Sequence, residues 1–235
     1  MRHSTSILML LLLLSFSVSF TACHYSRVDD EEEKSIPVTE FDKIYVKGNF
    51  TILLEQGTEP ALTIRGLKET LETTEVTSDT LSGWLKLSRD KFSLSSPQLV
   101  IRFRDLSRLR IEGAATVETA GYLDLNDLDV RVEGGARLDL KMKAQKVSLR
   151  GEGGVVYELE GVSRRLESNL QGAAYLKASA FETDTADINI EGVGVATIHV
   201  NDLLKAHMEG MGKISYTGDP EIDQRIDGLG KISRE

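Results

Sequence analysis

From residue 109 onward a short glycine-centred pattern recurs seven times, and the residue just before its leading glycine is Glu112, Glu133, Arg150, Gln171, Glu191, Glu209 and Asp227 in turn. Stacked in register, these residues would form a ladder at strand spacing. Neighbouring carboxylates ~5 Å apart repel by roughly 1 kcal/mol or more near a surface. Calcium takes several carboxylate and carbonyl oxygens, so it is the cation this ladder points to, through Glu112, Glu133, Glu191, Glu209 and Asp227. The plainer reading is screened surface charge that keeps an edge soluble. His199 and His207 suggest a metal less well, because both fall between inward-facing apolar neighbours and no Cys or third His accompanies them. A zinc site needs more ligands than that.

Other constellations are weaker. Gly210-Met-Gly-Lys-Ile-Ser215 and Gly228-Leu-Gly-Lys-Ile-Ser233 share vocabulary with a phosphate loop but lack its four-residue spacer and its helix. Serine is plentiful without a Gly-x-Ser-x-Gly elbow. An acidic chain offers many carboxylate pairs for glycoside chemistry, but their separation is not written in the sequence. Trp84, the only Trp, could stack on a sugar ring, although packing at a core or edge is the simpler expectation. No catalytic or cofactor-binding set emerges.

Cys23 carries a different chemistry. Arg2 and His3 precede the apolar run Ile7–Phe20, and Thr21-Ala22 stand before the cysteine. Residues 1–22 therefore read as a secretory leader, too short to span a bilayer comfortably. Phe20-Thr21-Ala22-Cys23 resembles a bacterial lipobox, with Phe20 in place of the usual Leu. A lone cysteine exported to an oxidising compartment has no disulfide partner, and lipidation, palmitate among the acyl chains, accounts for it. His24 rather than Asp after the cysteine favours the outer membrane, with exposure at the cell surface as an extension. Residues 23–36 then form a lipidated acidic tether around Asp29-Asp30-Glu31-Glu32-Glu33, a run that self-repels and buries nothing.

The body that positions these residues is built from repeats. Net charge is −9 and no basic stripe is visible, which disfavours nucleic acid. Gly is frequent, Pro is scarce, and apolar and polar residues alternate, so the chain reads as all-β. Copies such as Leu109-Arg-Ile-Glu-Gly113-Ala-Ala-Thr-Val117, Val130-Arg-Val-Glu-Gly134-Gly-Ala-Arg-Leu138 and Ile188-Asn-Ile-Glu-Gly192-Val-Gly-Val-Ala196 recur, with leading glycines at 113, 134, 151, 172, 192, 210 and 228. A unit of about 20 residues repeated this often marks a solenoid, whose units bury their apolar faces only when stacked. Gly-x-Gly/Ala reads as a corner where successive coils approach closely. Regular repeats are expected over 106–235 and a less regular part over 37–105, with Leu67–Thr74 briefly helical.

The opening Phe41-Asp-Lys-Ile-Tyr-Val-Lys-Gly-Asn-Phe-Thr-Ile52, the Gly-x-Gly/Ala repeats, and Tyr216-Thr-Gly-Asp-Pro220 followed by Gly228-Leu-Gly-Lys-Ile232 resemble the auto-transporter adhesin, head GIN domain family of Bacteroidetes lipoproteins. The resemblance runs from Ile36 to the C-terminus. It implies a right-handed parallel β-helix over 37–235 and a role in adhesion, and it brings no catalytic or binding residues. The expectation is a non-enzymatic cell-envelope lipoprotein that presents a long face to a glycan or a protein. The alternative is a carbohydrate-active β-helix enzyme, a lyase or hydrolase.

Overall fold

A computed structural model of the chain describes residues 31–90 and 96–235. Residues 1–22, expected to be a leader, together with Cys23 and residues 24–30, lie outside the described residues. Among the described residues the fold is all-β: ten strands form one mixed sheet, and a single helical turn, α1 (Lys68–Glu72), falls inside the segment expected to be helical. The strands are β1 (Glu31–Ile36), β2 (Lys43–Gln56), β3 (Ala61–Leu67), β4 (Glu75–Asp79), β5 (Trp84–Ser88), β6 (Gln98–Phe103), β7 (Arg108–Thr119), β8 (Leu123–Asp124), β9 (Asp127–Thr217) and β10 (Glu221–Arg234). No helix among the described residues is long and apolar enough to cross a membrane.

The main path through the sheet runs β1-β3-β6-β2-β7-β9-β10, so the first and last strands lie at opposite ends. From β2 onward the pairing on this path is parallel and keeps the repeats in register: Gly48 meets Gly113, Gly113 meets Gly134, and Gly210 meets Gly228. Gly48 thus joins the column although 65 residues separate it from Gly113. The intervening chain lines the far side of β2, where Trp84–Ser88 and Gln98–Phe103 pair with its two halves.

β9 is 91 residues of continuous pairing. Drawn out straight at ~3.3 Å per residue it would reach about 300 Å. Its glycines show that it returns on itself instead. A Cβ on Gly134, Gly153, Gly172, Gly192 or Gly210 would fall within 2.7 Å of the carbonyl oxygen of the glycine one repeat earlier, and all five have positive φ. Only a residue without a side chain fits that contact. One glycine differs from the sequence expectation: the stacked residue of the third repeat is Gly153, not Gly151. Gly151 points inward, where an added Cβ would press on Val155, Leu170 and the Tyr157 hydroxyl at 3.3–3.4 Å. A shift of two residues preserves strand parity, which is why alternation alone did not separate the two.

The inward set forms one core. Ile44, Val46, Leu109, Ile111, Val117, Val130, Val132, Leu138 and Leu140 are all buried, as their alternation requires. Tyr157 is the bulkiest fully buried side chain, and its hydroxyl is satisfied by donating to the Arg150 carbonyl at 3.0 Å.

Within the acidic segment, the described residues from Glu31 to Ile36 form a strand. Glu31–Ile36 pairs antiparallel with Ala61–Leu67, and Arg65 holds Glu33 at 2.8 Å. β3 has a free edge there, and an extended, charged strand covers it without adding an apolar edge of its own.

Candidate functional site

The outward residues ahead of the glycine column form two neighbouring files. One residue before each glycine stand Lys47, Glu112, Glu133, Glu152, Gln171, Glu191, Glu209 and Asp227; three before stand Tyr45, Arg110, Arg131, Arg150, Asn169, Asn189, His207 and Arg225. Arg150, expected in the acidic ladder, belongs to the second file, and Glu152 takes its place. Equal spacing of the glycines was the signal that could have found this: with Gly153 the steps are 21, 19, 19, 20, 18 and 18 residues.

The two files neutralise each other. Arg110 reaches Glu112 at 2.7 Å and Glu133 at 3.3 Å; Arg131 reaches Glu133 at 3.0 Å and Glu152 at 3.3 Å. Further along, Gln171 and Asn189 donate to opposite oxygens of Glu191 at 3.0 and 3.1 Å. At the end, Asp227 takes Arg225 at 2.6 Å and His207 at 3.1 Å. The repulsion anticipated between stacked carboxylates is thereby offset within the chain. Among the described residues no cluster of three or more His, Cys, Asp or Glu side chains is placed to hold a metal ion. Histidine 199 is half-buried on the same outward parity as His207, eight residues away in sequence.

At the β5 end of the files the face becomes a cleft of about 380 Å3 lined by Tyr45, Trp84, Lys86, Arg110 and Glu112. β5 places it. Leu85 and Leu87 are fully buried, so Trp84 and Lys86 project outward beside Lys43 and Tyr45. The Arg108 guanidinium lies 6.0 Å from the Trp84 ring centre, and that of Arg110 lies 5.8 Å from the Tyr45 ring, cation–π contacts that fix both rings. Tyr45 donates to Glu112 Oε2 at 2.7 Å. Burial, and then this bond to a carboxylate, push the Tyr45 phenol up to about 12. The same bond, aided by Arg110, holds the Glu112 carboxyl below the usual carboxylate range. Glu112 is therefore a fixed anionic acceptor, and Tyr45 a fixed neutral ring.

A second concavity lies beyond the glycine corner. It is a shallow trough of about 480 Å3 with Val156, Ala173, Tyr175, Val193, Val195 and Met211 along it. Its polar lining is small, and Val193 and Met211 are about half exposed.

The sequence model of the family described as "Putative auto-transporter adhesin, head GIN domain" matches residues 40–220. Solved structures share the fold. One described as a putative adhesin from Bacteroides fragilis NCTC 9343 superposes with a TM-score of 0.80 at 22% identity, covering 87% of this chain and 97% of that one. One described as a putative lipid binding protein from Parabacteroides distasonis ATCC 8503 gives 0.71 at 19% identity, covering 87% and 96%. A third, a putative adhesin from Parabacteroides merdae ATCC 43184, gives 0.68 at 18% identity over the same shares. No curated protein sequence matches the chain.

Proposed function

The chain belongs to the auto-transporter adhesin, head GIN domain family, and from that premise we propose a non-enzymatic cell-envelope module that binds glycan through the Tyr45–Trp84 cleft. The observation that carries this reading is the cleft's composition. An aromatic ring, held outward, offers the apolar face on which a sugar ring stacks, and Arg110, Lys86 and Glu112 offer donors and an acceptor for its hydroxyls. A lyase or hydrolase would want a carboxyl poised to give up a proton, with its pKa raised. The carboxyl that lines this cleft, Glu112, is instead held low, first by its bond from Tyr45 and then by Arg110.

In this reading the body is a right-handed parallel β-helix, supported by the return of the glycine column every 18 to 21 residues. The lipid on Cys23 holds it to the outer membrane, supported by the lipobox-like Phe20-Thr21-Ala22-Cys23. Loss of radiolabelled palmitate in a Cys23→Ser variant tests the anchor.

Trp84 is the only tryptophan, so its fluorescence reports on the cleft alone. Titration with cell-envelope and host polysaccharides should give a saturable change for at least one glycan class, and Trp84→Ala or Arg110→Ala should abolish that binding on an array. A panel with no binder, or binding indifferent to both substitutions, would remove the cleft from the proposal. Turnover of a polysaccharide would replace it with an enzyme.

A further inference from the structure

Among the described residues β10 is paired on one side only. Its inner edge runs parallel to β9 from Glu221 beside Leu203 to Arg234 beside Tyr216, and among the described residues no strand lies against its outer edge. Ile222 and Ile226 continue the columns of the buried Leu204 and Met208, yet they are 39% and 38% exposed, and Leu229 is 80% exposed. An open edge bearing apolar side chains is a template for another strand.

The sequence of this edge has a particular symmetry. Ile226-Asp-Gly-Leu229-Gly-Lys-Ile232 reads alike in both directions, except that the acid on one side of Leu229 is answered by a base on the other. Stacked parallel on Met208–Ile214, it sets like on like, with Asp227 beside Glu209 and Lys231 beside Lys213. Stacked antiparallel on a second copy of itself about Leu229, it sets Asp227 opposite Lys231 and Ile226 opposite Ile232, each twice. Gly228 then faces Gly230, where small residues let the backbones close up. The contacts of Asp227 to Arg225 and His207 both use Oδ2, which leaves Oδ1 for Lys231 of the second copy.

We propose that β10 is a self-association edge, on which a second copy of this chain pairs antiparallel about a twofold axis through Leu229. Such a contact is isologous and closes at two. It requires no sugar and is independent of the cleft. Because β1 lies at the opposite end of the sheet, the two copies extend away from each other, with their N-terminal strands at the far ends.

Sedimentation equilibrium of the full chain in mild detergent tests this. A dimer is expected, with Asp227→Lys and Lys231→Asp each weakening it by about tenfold or more, and the double exchange Asp227→Lys/Lys231→Asp restoring it. Circular dichroism of each single variant, matching the wild type, shows that the weakening is not a loss of fold. Leu229 on the axis faces its own copy, so Leu229→Cys should cross-link on oxidation, since paired strands bring Cα atoms within disulfide range. Met211→Cys, one repeat back, should not. A monomeric wild type in which Leu229→Cys stays uncross-linked would overturn the proposal and leave the edge to a different partner. A dimer indifferent to charge reversal, or not restored by the double exchange, would overturn it equally.

Discussion

Gly134 sits so close to Gly113 that a Cβ at position 134 would lie 2.2 Å from the Gly113 carbonyl oxygen. The repeats stack through this backbone contact. With φ at +129°, alanine at 134 meets two obstacles at once: a conformation L residues rarely adopt, costing about 1–3 kcal/mol, and a clash with backbone that cannot move aside. Gly154 lies outside the left-handed region, and a Cβ there would meet nothing within 4 Å. Gly134→Ala should therefore lower the melting temperature sharply or prevent folding, while Gly154→Ala stays within about 1 kcal/mol of wild type. Thermal melts of the two variants side by side check this, and equal losses would show that the column is not the source of the effect.

The Tyr45–Glu112 bond gives stability two pH limits. Glu112 is held below its ordinary range, so its contribution is complete above the unfolded value near 4.5 and is lost as pH falls through the lowered folded value. Tyr45 is pushed up from 10.0 to about 12, so its contribution is complete below pH 10 and lost as pH rises from there through about 12. Tyr45→Phe should flatten the alkaline limb and Glu112→Gln the acid limb, each costing on the order of 1 kcal/mol at neutral pH. Melting temperature against pH for the three proteins checks both limbs. An alkaline limb unchanged in Tyr45→Phe would assign it to another phenol.

Much of this arrangement is legible in the sequence. Alternation about each glycine identified Leu109, Ile111, Val117, Val130 and Leu138 as core, because strand parity is local and every repeat restates it. Glycine itself signalled the stacked corner, since φ and contact both exclude side chains there. What was not legible depended on which strand lies beside which. Trp84 could not be assigned a face until β5 was seen to pair with β2, and the arginine file was hidden because Arg110 and Glu112 are two residues apart in sequence but bridge three repeats in space. Gly151 and Gly153 share a parity, and only the spacing of the neighbouring glycines distinguishes them.

The arginine file makes a statement about calcium. In the wild type Glu133 and Glu152 share Arg131, at 3.0 and 3.3 Å, so an added cation finds the charge already matched. Arg131→Gln leaves Glu152 without that partner and Glu133 with Arg110 alone, the two carboxylates adjacent. These groups are a third to a half exposed, so the loss is modest, about 0.5–1 kcal/mol, and shrinks further with added salt. Millimolar calcium should leave the wild-type melting temperature unchanged and recover part of the loss in Arg131→Gln. A clear calcium shift in the wild type would restore the carboxylate ladder as a binding site.

Ser163 and Thr183, twenty residues apart, meet inside the protein with their hydroxyl oxygens 3.0 Å apart and less than a tenth of either residue exposed. Thr183 also donates to the Thr185 carbonyl at 3.2 Å. Its single proton is thereby committed, so Ser163 is the donor in the pair. The two substitutions are then unequal. Ser163→Ala removes a donor and leaves Thr183 satisfied, a loss of about 1 kcal/mol or less. Thr183→Val strands the Ser163 proton in a buried site, which costs about 1–3 kcal/mol. The double variant strands nothing and should be more stable than Thr183→Val alone. Denaturant unfolding of all four proteins gives the coupling directly, and additive losses would mean that the two hydroxyls act independently.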